Sequence, residues 1–245
     1  NAAADDTTEL EFLESGAGFL VRYDTTLWDF DINMKQRRQP GRLLRFGVGF
    51  RSIRLYESGL ARLNGEFTNT LSNAALVDVA NGGGLTPSTG AVGFATGDQL
   101  VFASSTQATN HLNGVQATLD ASVLESEYFQ VGGYAKAGIY YNDVRGSVTE
   151  KYHVNDLLRY SRSLKDSKGA IAFAGNLGVT GTISLHDNLR LFGAYELMYL
   201  AGVALGPDQV GGIRKNGSNV TSLELQTHGD VFFHGGRVGI EILFP

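Results

Sequence analysis

The chain has 245 residues, with 32 glycines, 4 prolines, no cysteine and a formal net charge of -5. Without cysteine there is no disulfide and no thiolate metal site, and the negative balance argues against nucleic acid, whose phosphates need clustered basic residues. No apolar run approaches the ~18 residues of a membrane-crossing helix, so any membrane is crossed by strands.

Residues 1–8 are small and polar and read as a frayed terminus, and no signal peptide is seen at Asn1, as expected of a mature or trimmed chain. Residues 10–13 could start a strand. From there, alternation of period two marks strands with different surroundings on their two faces. Residues 15–24 place Ala17, Phe19, Val21 and Tyr23 on one face, and a tight turn is expected at 24–26. Residues 27–36 alternate most clearly, with Trp28, Phe30, Ile32 and Met34 against Asp29, Asp31, Asn33 and Lys35. After a Pro-Gly turn at 37–42, residues 43–57 oppose Leu44, Phe46, Val48 and Phe50 to Arg45, Gly47, Gly49 and Arg51. The pattern slips near 52–55, as a bulge would make it.

Residues 58–109 read as a long loop with room for a hairpin or small helix. Strands are expected again at 111–123 and 128–142. A second long connection, 143–168, contains VNDLLRYSRSL (154–164), whose spacing suggests a short helix. Strands follow at 170–185 and 189–200, separated by a turn at 186–188. A third long loop, 201–229, contains Pro207-Asp208-Gln209, expected to cap a segment folded over a mouth. The final stretch, 230–245, alternates Phe232, His234, Gly236, Val238, Ile240, Ile242 and Phe244 with Phe233, Gly235, Arg237, Gly239, Glu241 and Leu243.

Short turns at one end and long loops at the other predict an all-β, antiparallel up-and-down transmembrane β-barrel. The expected count is about eight strands, with 10–12 as the alternative, and both termini on the short-turn side. One domain spans 1–245, with extracellular loops at 58–109, 143–168 and 201–229. Charge assigns the faces, because a charge at the bilayer midplane costs about 2–4 kcal/mol. The expected lumen charges are Arg45, Arg51, Asp120, Lys136, Arg190, Glu196, Arg237 and Glu241, joined by Arg22, Lys35, Asp29 and Asp31. Their mixed signs predict an ion-paired interior rather than an open channel. The pairs to watch are Arg51 with Glu57 and Arg237 with Glu241.

Several segments resemble bacterial outer-membrane β-barrel porins of the beta-barrel porin-seven type: FGVGFRSIRLYE (46–57), TNHLNGVQ (109–116), KAGIYYN (136–142), AFAGNLG (172–178), YELMYLAGVALGPDQ (195–209) and residues 231–244. They occur in the family's order over about the last four-fifths of the chain. Family members usually begin with a further aromatic-rich strand segment not seen near Asn1, and here a proline follows Phe244. The resemblance implies a barrel in the outer membrane of a Gram-negative cell envelope and little about activity.

His111, His153, His186, His228 and His234 lack metal-ligand spacing. Asp208, His228, Ser218 and Ser222 share one polar loop, as chance alone would place them. Asn81 and the glycines after it lack the lysine of a phosphate cradle, and Asn219-Val220-Thr221 is a sequon in form only. The expectation is therefore a non-enzyme without metal or cofactor. Its partners would be outer-membrane lipid, and another copy or an envelope protein through the loops. The expected role is structural or interactive, with a porin-like passive channel as the alternative.

Overall fold

The computed structural model describes residues 18–37, 43–66, 76–78, 83–85, 96–126, 128–186, 189–216 and 219–242. Its strands are β1 (Gly18–Lys35), β2 (Leu44–Glu66), β3 (Leu76–Asp78), β4 (Gly83–Leu85), β5 (Gln99–Glu125), β6 (Phe129–Val154), β7 (Leu157–His186), β8 (Leu189–Val203), β9 (Ile213–Asn216), β10 (Asn219–Leu223) and β11 (Gly229–Ile242). A short 3-10 helix covers Pro207–Gly212. Seven strands form one antiparallel up-and-down sheet in the order β1-β2-β5-β6-β7-β8-β11, and β3–β4 and β9–β10 are separate two-stranded hairpins.

This differs from the expected pattern in several places. The tight turn at 24–26 is absent: β1 runs through it, with Asp24 opposite Ser58 and Thr26 opposite Tyr56. The expected strands at 15–24 and 27–36 are thus one strand, apart from residues 15–17, which lie outside the described residues. The bulge near 52–55 is also absent, since β2 holds one register with both neighbours. Strand extends into both segments expected as long loops at 58–109 and 143–168. The expected helix at 154–164 is strand, and β6 turns into β7 through Asn155 and Asp156 alone. Both have positive φ, 50° and 63°, the mirror-image turn whose twist matches a right-handed hairpin. The 67–98 connection does carry a hairpin, β3–β4.

The strands share one inversion. On β6 the outward residues are Phe129, Val131, Ala135, Ile139 and Tyr141, then Asp143, Arg145, Ser147, Thr149 and Lys151. The inward ones are Gln130, Tyr134 and Lys136, then Val144, Val148 and Tyr152, the last three almost fully buried. The apolar side chains therefore change faces just past Tyr141. The neighbours change at the matching level, because Tyr141 lies opposite Asn113 on β5 and Ile171 on β7. Outward residues turn from Val115 to Asn113 on β5, from Phe50 to Ser52 on β2, and from Trp28 to Thr26 on β1. On β7 the change runs from Ile171 to Ser167, and on β11 from Phe232 to Asp230. One end of the sheet thus has an apolar outside and a polar inside, and the other end a polar outside and a largely apolar inside that also buries Glu57, Asn110, Asn142 and the Glu150–Arg162 ion pair.

The sheet is rolled. Arg51 on β2 reaches Asn176 on β7, and Lys136 on β6 reaches Asp31 on β1, although neither pair of strands is adjacent. The first described strand starts at the end of the long connections, with Gly18 opposite Asn64, so it does not begin on the short-turn side as expected. β11 starts at that same end, with Gly229 opposite Val203. The two edges of the sheet therefore run in the same direction. Leu27 and Asp29 of β1 face Phe233, Gly235, Gly236 and Arg237 of β11 across a cavity of about 250 Å3 that Glu196 and Met198 floor.

Candidate functional site: the filled inner face

Strand parity sets the site, since every second residue of each strand enters the interior. Nearest the short turns, Asp120 of β5 accepts from Lys35 at 2.9 Å and from Arg45 at 2.8 Å. One layer up, Asp31 accepts from Lys136 at 2.5 Å and from Gln116 at 3.0 Å, and Gln116 also donates to Asn33. Glycines give this layer room: a Cβ on Gly49 would stand 2.3 Å from Asn33 Oδ1 and from the Ile32 carbonyl oxygen.

The central layer holds Arg51, the most buried cation of these paired layers. Arg51 is 0% exposed and donates twice to Asp29, at 2.8 and 2.6 Å, and once to Asn176 at 2.6 Å. Asn176 passes the network to Glu196, which also accepts from the Tyr134 hydroxyl at 2.5 Å. Five strands meet in this chain of Asp29, Arg51, Asn176, Glu196 and Tyr134. A bidentate arginine–carboxylate pair with its remaining donors used can offset the large cost of dehydrating both ions.

Above it lies an apolar cluster. Ile53, Leu55, Leu112, Tyr140, Met198 and Leu200 form one cluster, against which Leu27, Val231 and Phe233 pack. Arg51 and Glu57, singled out together from sequence, are both fully buried on one face of β2 but hold different things. Glu57 accepts from the Gly206 N–H at 3.0 Å. The Tyr23 phenol nearby is pushed up to about 12, by burial first and then by the Glu57 carboxylate.

Gly206 belongs to the segment between β8 and β11, which folds into the mouth. Asn110 clamps Ala204 by donating to its carbonyl and accepting from its N–H, both at 2.8 Å. Asn142 donates to Asn110 and to the Gly202 carbonyl. Gly202 has φ of +77°, and a Cβ there would meet the Ile171 carbonyl oxygen at 2.6 Å. Gln209, fully buried in the 3-10 helix, donates to Leu205 and Gln226. Ile213, Leu223 and Leu225 pack on Ala108, Val144 and Val148, and Gly146 leaves space for Leu225, whose Cδ2 would lie 2.3 Å from a Cβ there.

Of the eight charges expected inside, Arg45, Arg51, Asp120, Lys136 and Glu196 join these contacts. Arg190 takes an inward position on β8 opposite Ser184 and Glu241. The Glu241 side chain lies outside the described residues. Arg237 lies on the β11 edge, exposed, beside the cavity facing Asp29. Sequence reasoning passed over Asn110, Asn142, Gln116 and Asn176. The only signal for them was inward parity within otherwise apolar or small-residue strands. Among the described residues no three His, Cys, Asp or Glu side chains are placed to hold a metal ion. No family model, curated protein or solved structure matches this chain.

Proposed function

We propose that this chain forms an outer-membrane β-barrel with a filled interior, whose role is structural or interactive rather than conductive. The observation that carries this reading is the exchange of faces at one level around the sheet. Below that level, outward residues such as Ile32, Val48, Ile139, Leu177 and Val238 are more than half exposed. A sheet whose apolar side faces out, over charges that pair inside, suits surroundings of hydrocarbon. The outward run from Phe232 to Ile240, apolar except for His234, also has about the length of a tilted strand crossing a bilayer, about 9–11 residues. Above the level, water outside and a core inside account for the opposite pattern. Trp28, Tyr141 and Tyr199 lie at the changeover, where amphipathic rings favour an interface.

The parallel directions of β1 and β11 bear on closure. One further strand, antiparallel to both, would seal the seam and give an even count. The resemblance to the porin-seven family belongs to the same proposal. The buried Arg51 layer, the apolar cluster above it and the clamped mouth segment favour a non-conducting barrel over a porin-like channel.

Refolding into lipid vesicles tests the reading. The chain should float with the vesicles, keep its strand content and add no conductance steps in a planar bilayer. Remaining in the aqueous fraction under all refolding conditions would overturn the membrane reading. Steady single-channel steps would overturn the non-conducting role.

A further inference from the structure

Above the apolar band the outer face of β2, β5, β6 and β7 is basic, although the chain as a whole carries -5 and β1 and β11 add Arg22, Asp24 and Asp230 there. On β2, β5, β6 and β7 that face holds Arg54, Arg62, Arg145, Lys151 and Lys165 against Asp143 and, at the far end, Glu66. Two of these cations belong to a compact group. Arg145 lies directly opposite Ser167, and Ser147 directly opposite Lys165. Such pairs stand about 5 Å apart, and successive residues on one face of a strand about 7 Å apart. All four side chains therefore surround one small patch. The Arg145 side chain is 71% exposed, and its contact with Asp143 is a 3.3 Å hydrogen bond.

We propose that Arg145, Ser147, Lys165 and Ser167 bind the phosphate of an anionic lipid headgroup in the leaflet on the side of the long connections. This rests on the membrane reading above. A guanidinium fork, an ammonium and two hydroxyl donors are suited to phosphate oxygens. Position distinguishes a lipid from a free anion. The quartet starts two outward positions beyond Tyr141, the last apolar outward residue of β6. Below it on the same strands is an outward apolar groove of about 500 Å3, with Ala117, Ala135, Ala137 and Gly175 as its floor and Leu119 and Leu177 beside them. A headgroup site with acyl-chain space beneath it along β5–β7 fits a lipid. Arg54, 6.0 Å from the Trp28 ring centroid at the same border, adds to the basic potential.

The test uses the whole chain refolded into phosphatidylcholine vesicles and into phosphatidylcholine–phosphatidylglycerol mixtures. Lipid retained after mild detergent extraction is counted by mass spectrometry of the intact protein. Phosphatidylglycerol should be enriched over phosphatidylcholine, and less so as salt rises. The double variant Arg145→Gln, Lys165→Gln should lose about five-fold of that preference per cation, roughly 30-fold in all. Arg145→Lys should keep most of it. Equal retention of both lipids by a correctly inserted protein would overturn the site and leave the membrane reading standing. Failure to enter either vesicle would overturn the membrane reading itself. Inorganic phosphate displacing the lipid at equal concentration would also overturn the assignment to a headgroup.

Discussion

The two ends of the sheet are built from the same strands with opposite insides. On β7, Leu177 and Val179 face outward beside inward Asn176 and Thr180, whereas further up Ser163 and Lys165 face outward beside inward Leu164. The backbone, its register and its two-residue period do not change across the border. Only the polarity of the side chains on each face changes. A strand's geometry is thus indifferent to which side is wet, and the border between the regions is written only in side-chain chemistry.

The largest expected effect lies below the border, in the polar interior. Replacing Asp29 by Ala leaves the fully buried Arg51 guanidinium without its bidentate carboxylate. Stranding a buried charge costs about 3–5 kcal/mol, and urea titration in vesicles should show it. The apolar upper interior gives a matching measurement. Leu112→Ala empties a 0% exposed position and should cost about 2–5 kcal/mol. A loss for Asp29→Ala below ~1 kcal/mol would show that water reaches the Arg51 layer.

The outer face separates the two regions most directly. Val179→Arg puts a cation within the apolar band and should cost about 2–4 kcal/mol in lipid. Ser163→Arg, on the same face of the same strand above the border, should stay within about 0.5 kcal/mol. Equal costs for the two variants would remove the distinction between the ends of the sheet.

That border also explains what could and could not be read from the sequence. Where described, all eight expected strands lie along the seven strands of the main sheet, the first two merged in β1, because alternation over Leu44–Phe50 or Ile171–Leu177 survives any change of surroundings. The faces of the paired charges Arg45, Arg51, Asp120, Lys136 and Glu196 were legible for the same reason. The errors cluster where the chemistry changes faces. Between Tyr23 and Trp28 the apolar residues switch parity, and a switch of parity without an extra residue imitates a turn. Ile53 and Leu55 after Phe50 imitate a bulge in the same way. Beyond Tyr141, inward Val144 and Val148 beside outward Asp143 and Arg145 imitate a loop. The clamp at Asn110 was hidden because its partners are backbone groups of Ala204, 94 residues away, and no local pattern encodes them.

A smaller cost than that of Val179→Arg is expected in the turn that caps the upper region. Asn155 and Asp156 have positive φ, which asparagine and aspartate tolerate and β-branched residues do not. Asn155 also caps the start of the neighbouring strand, accepting from the Gln99 N–H at 2.9 Å and donating to Asp98 at 2.7 Å. Asn155→Gly keeps the backbone shape and removes only the side-chain contacts. Asn155→Val removes both and should cost a further ~1–2 kcal/mol. If the upper hairpin opens independently of the half with the apolar outside, this cost will appear as faster amide exchange between Thr149 and Ser163, while β6 below Tyr141 keeps its protection. Exchange rising equally along the whole of β6 would instead make the two ends one cooperative unit, with the border marking a change of surroundings and not of stability.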